Sequence, residues 1–125
     1  ASAEAALDAW VEMVAHNQRH PDGVALYTAM SAAVIDADHQ AHPWFREHLL
    51  GAISYLVDAL ERGKAAGEVR PDAPSEQIAR KLVGLSDGLQ VQWLCSRADG
   101  GADVDMREVM AGMIADVKDR WLIRP

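Results

Sequence analysis

Only one cysteine, Cys95, occurs in the 125 residues. An internal disulfide is therefore excluded, and a lone thiol fits a reducing cytoplasm. Basic residues are in deficit: 12 Lys and Arg stand against 19 Asp and Glu, for a net charge of −7. A nucleic-acid-binding surface needs clustered Lys and Arg to displace counterions from phosphate, and here they are scattered. No apolar run reaches the roughly 18 uninterrupted residues of a membrane span, so no membrane partner is expected. The opening Ala1-Ser-Ala-Glu-Ala-Ala lacks a basic region and an apolar stretch, so it does not read as a signal peptide. Sustained strand alternation is missing as well. Without strands there is no strand–loop–helix setting for a glycine-rich phosphate loop.

What is present is helical periodicity, in five segments that fit one all-α domain spanning residues 1–125. Leu7, Trp10, Val14 and Asn17 form one stripe over residues 3–17. Pro21 opens a second helix at a position where its missing N–H costs little. Leu26, Tyr27, Met30, Ala33 and Val34 share its broad face, and it stops near Asp36. The third helix spans Pro43 to Gly67, with Phe45, Leu49, Ile53, Leu56 and Leu60 at helical spacing. The fourth runs from Pro74 to Arg97, with Ile78, Leu82, Leu85, Leu89 and Trp93 on one face. Ala79, Val83, Gln90 and Leu94 mark a flanking face. The fifth starts near Asp103 or Asp105, where Asp105 and Glu108 resemble a capping box. Its stripe is Met106, Met110, Met113, Ile114, Val117 and Trp121. The expected architecture is an orthogonal or antiparallel bundle.

Two stretches carry a family resemblance. Gly67-Glu-Val-Arg-Pro-Asp-Ala-Pro-Ser ends one helix and starts another, and it leads into Gly84-Leu-Ser-Asp-Gly-Leu-Gln-Val-Gln-Trp-Leu94. Gly67 suits the left-handed residue that closes a helix. Gly84 and Gly88, at i and i+4, each cost about 1 kcal/mol relative to Ala, which suggests a neighbouring backbone close by. The second stretch is Asp38-His-Gln-Ala-His-Pro-Trp-Phe-Arg-Glu-His48. Together they resemble the effector-binding domain of TetR-family transcriptional regulators, although Gln40 stands where that family commonly has proline. The resemblance implies a domain that binds a small effector and dimerises through its last two helices. It also implies a separate N-terminal helix-turn-helix head, absent from this chain, as the only part that touches DNA.

The last two helices are apolar on two sides, which fits either central helices of a monomeric bundle or a four-helix bundle across a two-fold axis, and the family resemblance implies the second. Leu82, Gly84, Gly88, Val91, Met106, Met110, Met113, Val117 and Trp121 are the expected homodimer contacts. Large, adaptable side chains on inward faces suggest a cavity for a largely apolar ligand. Its expected lining is Trp10, Met13, Asn17, Met30, Phe45, Tyr55, Leu89, Gln90 and Trp93. Asn17, His48 and Gln90 are candidates to orient the ligand. A densely filled core at the same positions is the competing expectation, and it would make the chain a stand-alone interaction domain.

Catalysis is not expected. Cys95 has no activating base nearby, and Ser86-Asp87 lies in mid-helix without the partners of a nucleophilic triad. No cofactor is implied. His16 and His20 share a helix end, and His39, His42 and His48 cluster around one connection. Neither group offers three or four fixed, convergent ligands, so no metal site is expected. His42 reads as a cap for the helix that Pro43 opens.

Overall fold

In the computed structural model, which describes residues 2–100 and 104–124, five helices account for the periodic segments. They are α1 (Ala3–Gln18), α2 (Pro21–Val34), α3 (His42–Ala65), α4 (Ser75–Ala98) and α5 (Met106–Trp121). Among the described residues there is no strand, only one isolated antiparallel bridge between Val69 and Leu122. Asp103 lies outside the described residues. Asp105 is the observed cap of α5, and its carboxylate accepts from the Glu108 N–H at 3.1 Å. His42 does not cap α3; it is the first residue of that helix, and its Nδ1 reaches back to the Val34 carbonyl at 2.6 Å.

The start of α1 leaves three N–H groups without helical partners, and each finds an acceptor. Ser2 Oγ accepts from Ala5 at 3.0 Å. The two Glu68 carboxylate oxygens accept from Ala3 at 2.9 Å and Glu4 at 3.0 Å. Glu68 is delivered there by the end of α3. Gly67 adopts φ 75°, its N–H bonds the Lys64 carbonyl at 3.1 Å, and the Glu68 N–H bonds the Gly63 carbonyl at 2.8 Å. This paired closure is the Schellman arrangement expected of a helix-ending glycine. The same turn holds the chain that leaves α5. Arg70 N–H donates to the Trp121 carbonyl at 2.9 Å, and Ile123 N–H donates to the Glu68 carbonyl at 2.8 Å.

The core forms between α1, α3, α4 and α5. Leu7, Leu56, Leu60, Leu82, Trp93 and Met110 are among its fully enclosed side chains. α1 and α5 run antiparallel, joined along their exposed seam by Arg107–Glu12, Lys118–Asp8 and Arg124–Glu4 ion pairs. Exposed pairs of this kind contribute only ~0–1 kcal/mol each, so apolar burial carries the seam.

α2 is different. Its sequence is apolar nearly all round, with Asp22 as its only charge, yet it buries only Val24 and Val34. The face expected to turn inward is largely outside: Leu26 is 63 % and Met30 38 % exposed. Of that face Val34 is buried and Tyr27 half-buried, and Thr28 and Ser31, which do not belong to it, are half-buried as well. Thr28 and Ser31 can face inward because their hydroxyls are bonded, Ser31 to the Thr28 carbonyl at 2.7 Å and Thr28 to Gln90 Oε1 at 3.4 Å.

The expected dimer residues fall into three groups. Leu82, Met106 and Met110 are fully buried in the chain's own core, so none can contact a second copy. Val117 and Trp121 are half-buried, the Trp121 ring lying under the guanidinium groups of Arg70 and Arg120. Gly84, Gly88, Val91 and Met113 are exposed. Outside α4's own backbone, no atom of the described residues comes within 4 Å of where a Cβ on Gly84 or Gly88 would sit, so no neighbouring described backbone explains those glycines.

Candidate functional site: an open cavity beside helix α4

An open cavity of about 740 Å³ lies between α1, α2, α3 and the inner face of α4. α1 contributes Ala9, Trp10, Met13 and Asn17, followed by His20 in the turn. α2 adds Gly23, Val24 and Tyr27; α3 adds Glu47, His48, Leu49, Gly51, Ala52 and Tyr55. α4 supplies Val83, Ser86, Asp87 and Gln90 along one face, at i, i+3, i+4 and i+7. The void exists because α2 packs loosely and because Gly23, Gly51 and Ala52 put little volume where helices face each other.

Of the residues expected to line a cavity, Trp10, Met13, Asn17, Tyr55 and Gln90 do so. Leu89 and Trp93 do not. They are 2 % and 1 % exposed and lie on the adjoining stripe of α4, packed into the core. Met30, 38 % exposed, is not in the lining, and Phe45 packs on the Tyr27 ring at 5.7 Å without reaching the cavity. Tyr27 and Asp87 were not expected in the lining. For Asp87 a signal existed: Val83, Asp87 and Gln90 fall at i, i+4 and i+7 on the flanking face already marked by Val83 and Gln90.

The polar groups of the lining differ in how well they are satisfied. Trp10 Nε1 donates to Ser86 Oγ at 3.0 Å, and the Ser86 hydroxyl donates to the Leu82 carbonyl at 3.0 Å. That pair is closed and fixes the indole in the wall. Gln90 accepts from Thr28 and keeps its amide N–H groups. Asp87 makes no hydrogen bond or ion pair with any described residue. Removal from water raises its pKa above the usual aspartate value, and the opposing attraction of His48 does not cancel this. The Tyr27 phenol is pushed up to about 12, first by burial and then by the Asp87 charge, so it stays neutral.

Rings crowd one rim of the cavity. His48 stacks on Trp44 at 5.2 Å, with an interplanar angle of 9°, and meets Tyr27 edge-on at 5.5 Å. The other histidines are used locally. His20 Nδ1 lies 2.8 Å from the His16 carbonyl, and His39 Nδ1 accepts from the Ala41 N–H at 3.0 Å. Among the described residues no group of three or more His, Cys, Asp or Glu converges to hold a metal ion. No helix there is long and apolar enough to cross a membrane.

No family model and no solved structure matches this chain.

Proposed function

We propose that this chain is the ligand-binding and dimerisation domain of a TetR-like transcriptional regulator, sensing a small, largely apolar effector. The observation that carries the proposal is the cavity. Its volume of about 740 Å³ falls within the ~300–1,000 Å³ common for small-molecule sites, and its wall is apolar with a few convergent polar groups. In this scheme the effector binds one arrangement of the helices more tightly than another. That difference shifts the population and, through it, the spacing of DNA-reading heads joined ahead of α1. DNA contact belongs to those heads, because the net charge of −7 opposes phosphate binding by this domain.

The test is a melting experiment against a panel of lipophilic small molecules, with tryptophan emission recorded in parallel. A ligand specific to the folded state raises Tm by mass action and perturbs the Trp10 signal. Ala52→Trp, which puts an indole into the cavity, should weaken both responses. Silence across the panel, with the parent and the variant alike, counts against an effector site.

A second reading, a dimerisation or interaction domain without a ligand, is favoured by the outer faces of α4 and α5. Gly84, Gly88 and Gly112 are exposed and open, and Val91, Val109 and Met113 project beside them. A stable dimer buries roughly 800 Å² per partner. Light scattering should find a dimer for the parent chain and a monomer for Met113→Glu, whose side chain is already at the surface and so leaves the fold intact. A parent that stays monomeric at micromolar concentration removes the dimer from both readings.

A further inference from the structure

We propose that the cavity selects an organic cation, a ligand with an apolar or aromatic body and one amine or ammonium group held against Asp87. The proposal rests on the reading of the cavity as a ligand site and adds the charge of its occupant.

The sign follows from what surrounds the void. Its lining contains two carboxylates, Asp87 and Glu47, beside the imidazoles of His20 and His48, and neither a lysine nor an arginine; the attraction of His48 leaves the cost of burying Asp87 uncancelled. An anionic ligand would lose water and gain repulsion. A neutral one would leave Asp87 as it is, half-buried and bonded to no described residue. Such a carboxylate carries a desolvation penalty that the folded chain does not offset. A ligand ammonium supplies what is missing, because it donates charge-assisted hydrogen bonds in a setting where water screens them weakly.

The rings point the same way. Tyr27 and His48 lie 5.5 Å apart, and both line the cavity with Asp87. Trp10 and Tyr55 line it as well. The faces of tyrosine and tryptophan carry negative potential and attract cations, quaternary ammonium groups included. Tyr27 keeps its proton through the physiological range, so it remains an uncharged ring and a hydroxyl donor and acceptor. The Trp10 indole N–H is committed to Ser86, which holds the ring in place.

A structural role for Asp87 makes a different prediction. As a solvated surface group turned by chance toward the cavity, it would be indifferent to the charge of a ligand. Three probes with one body decide between these: 6-phenylhexylamine, 6-phenylhexanol and 6-phenylhexanoate, titrated calorimetrically into the intact chain at pH 7. The amine should bind about tenfold more tightly than the alcohol, or better, with the carboxylate weakest. In Asp87→Asn, a change of nearly equal volume, the amine-to-alcohol ratio should fall to about one. Asp87→Glu should keep most of the preference, and circular-dichroism melts establish that both variants fold. Equal affinities in the parent, or a preference that survives Asp87→Asn, overturn the cation assignment while leaving a ligand site in place. Binding of none of the three overturns both.

Discussion

The C-terminal half of α3 buries Leu56, Ala59, Leu60 and Gly63, and the turn after it is bonded to α1 and to the chain leaving α5. In the N-terminal half, Trp44 and Leu50 are exposed, Gly51 and Ala52 face a void, and the neighbouring α2 buries two residues. One helix thus belongs to a closed frame at one end and to an adaptable wall at the other. The difference lies in partners rather than in helix propensity. At the closed end, apolar burial and long-range backbone bonds coincide. At the open end neither is complete. Few buried apolar contacts mark the parts of a fold that open most easily, and in proteins that bind ligands the binding elements are commonly drawn from such parts.

Leucine truncation should show the largest contrast. Leu60→Ala should cost about 2–5 kcal/mol, because the side chain is enclosed and the frame around it cannot collapse. Leu50→Ala, at the surface of the same helix, should stay within about 0.5 kcal/mol. Denaturant unfolding measures both, and equal costs would dissolve the comparison. Glycine substitution should give opposite signs within one helix. A Cβ on Gly63 would sit 2.5 Å from Val69 Cγ2 and 3.0 Å from Ala3 Cβ, whereas one on Gly51 meets nothing within 4 Å. Gly63→Ala should therefore destabilise by about 1–3 kcal/mol through overpacking. Gly51→Ala should stabilise by about 0.5–1 kcal/mol by removing a flexible residue from a helix interior.

Replacing Glu68 by Gln leaves one acceptor oxygen for two N–H donors and removes the charge. It should cost about 1–2 kcal/mol and speed hydrogen exchange at Ala3 and Glu4. The smallest effects should appear in pH dependence, again with opposite signs. Glu61 has its pKa lowered by hydrogen bonds from Lys64 and then Ser75. Its contribution is present above the unfolded-state carboxylate pKa and is lost as pH falls through the folded value. Asp87 has its pKa raised, so the folded chain holds that proton more tightly, and stability is lost as pH rises through the folded value. Melting curves should show Glu61→Gln less stable than the parent at neutral pH, Asp87→Asn more stable, and both differences shrinking in acid.

Helix number and extent were legible because their signals are local. Pro21, Gly67 and Asp105 each act through their own φ or their own side chain. The five stripes needed only a period of 3.6. Which stripe faces what was harder. Leu26 and Met30 looked like the inner face of α2, but Thr28 and Ser31 lie inward, because bonded hydroxyls tolerate burial. On α4, Trp93 and Leu89 look like cavity residues by size. They are core, and the smaller, more polar stripe of Val83, Ser86, Asp87 and Gln90 lines the void. A void is defined by volume that neighbours fail to supply, and no single helix records that. Glu68 was illegible for a related reason: its partners Ala3 and Glu4 are 65 and 64 residues away.

Glu68 also bears on connectivity. Its side chain holds the first amides of α1, its carbonyl holds Ile123, and an Arg124–Glu4 ion pair at 3.0 Å lies alongside. Residues 3 and 123 therefore meet at a single shared residue, and the path of the chain is nearly a closed ring. In such a ring the order of the helices along the polypeptide is a matter of where it is cut. A circular permutant with a short glycine–serine link across this junction, opened in the exposed α2–α3 connection, should keep the frame.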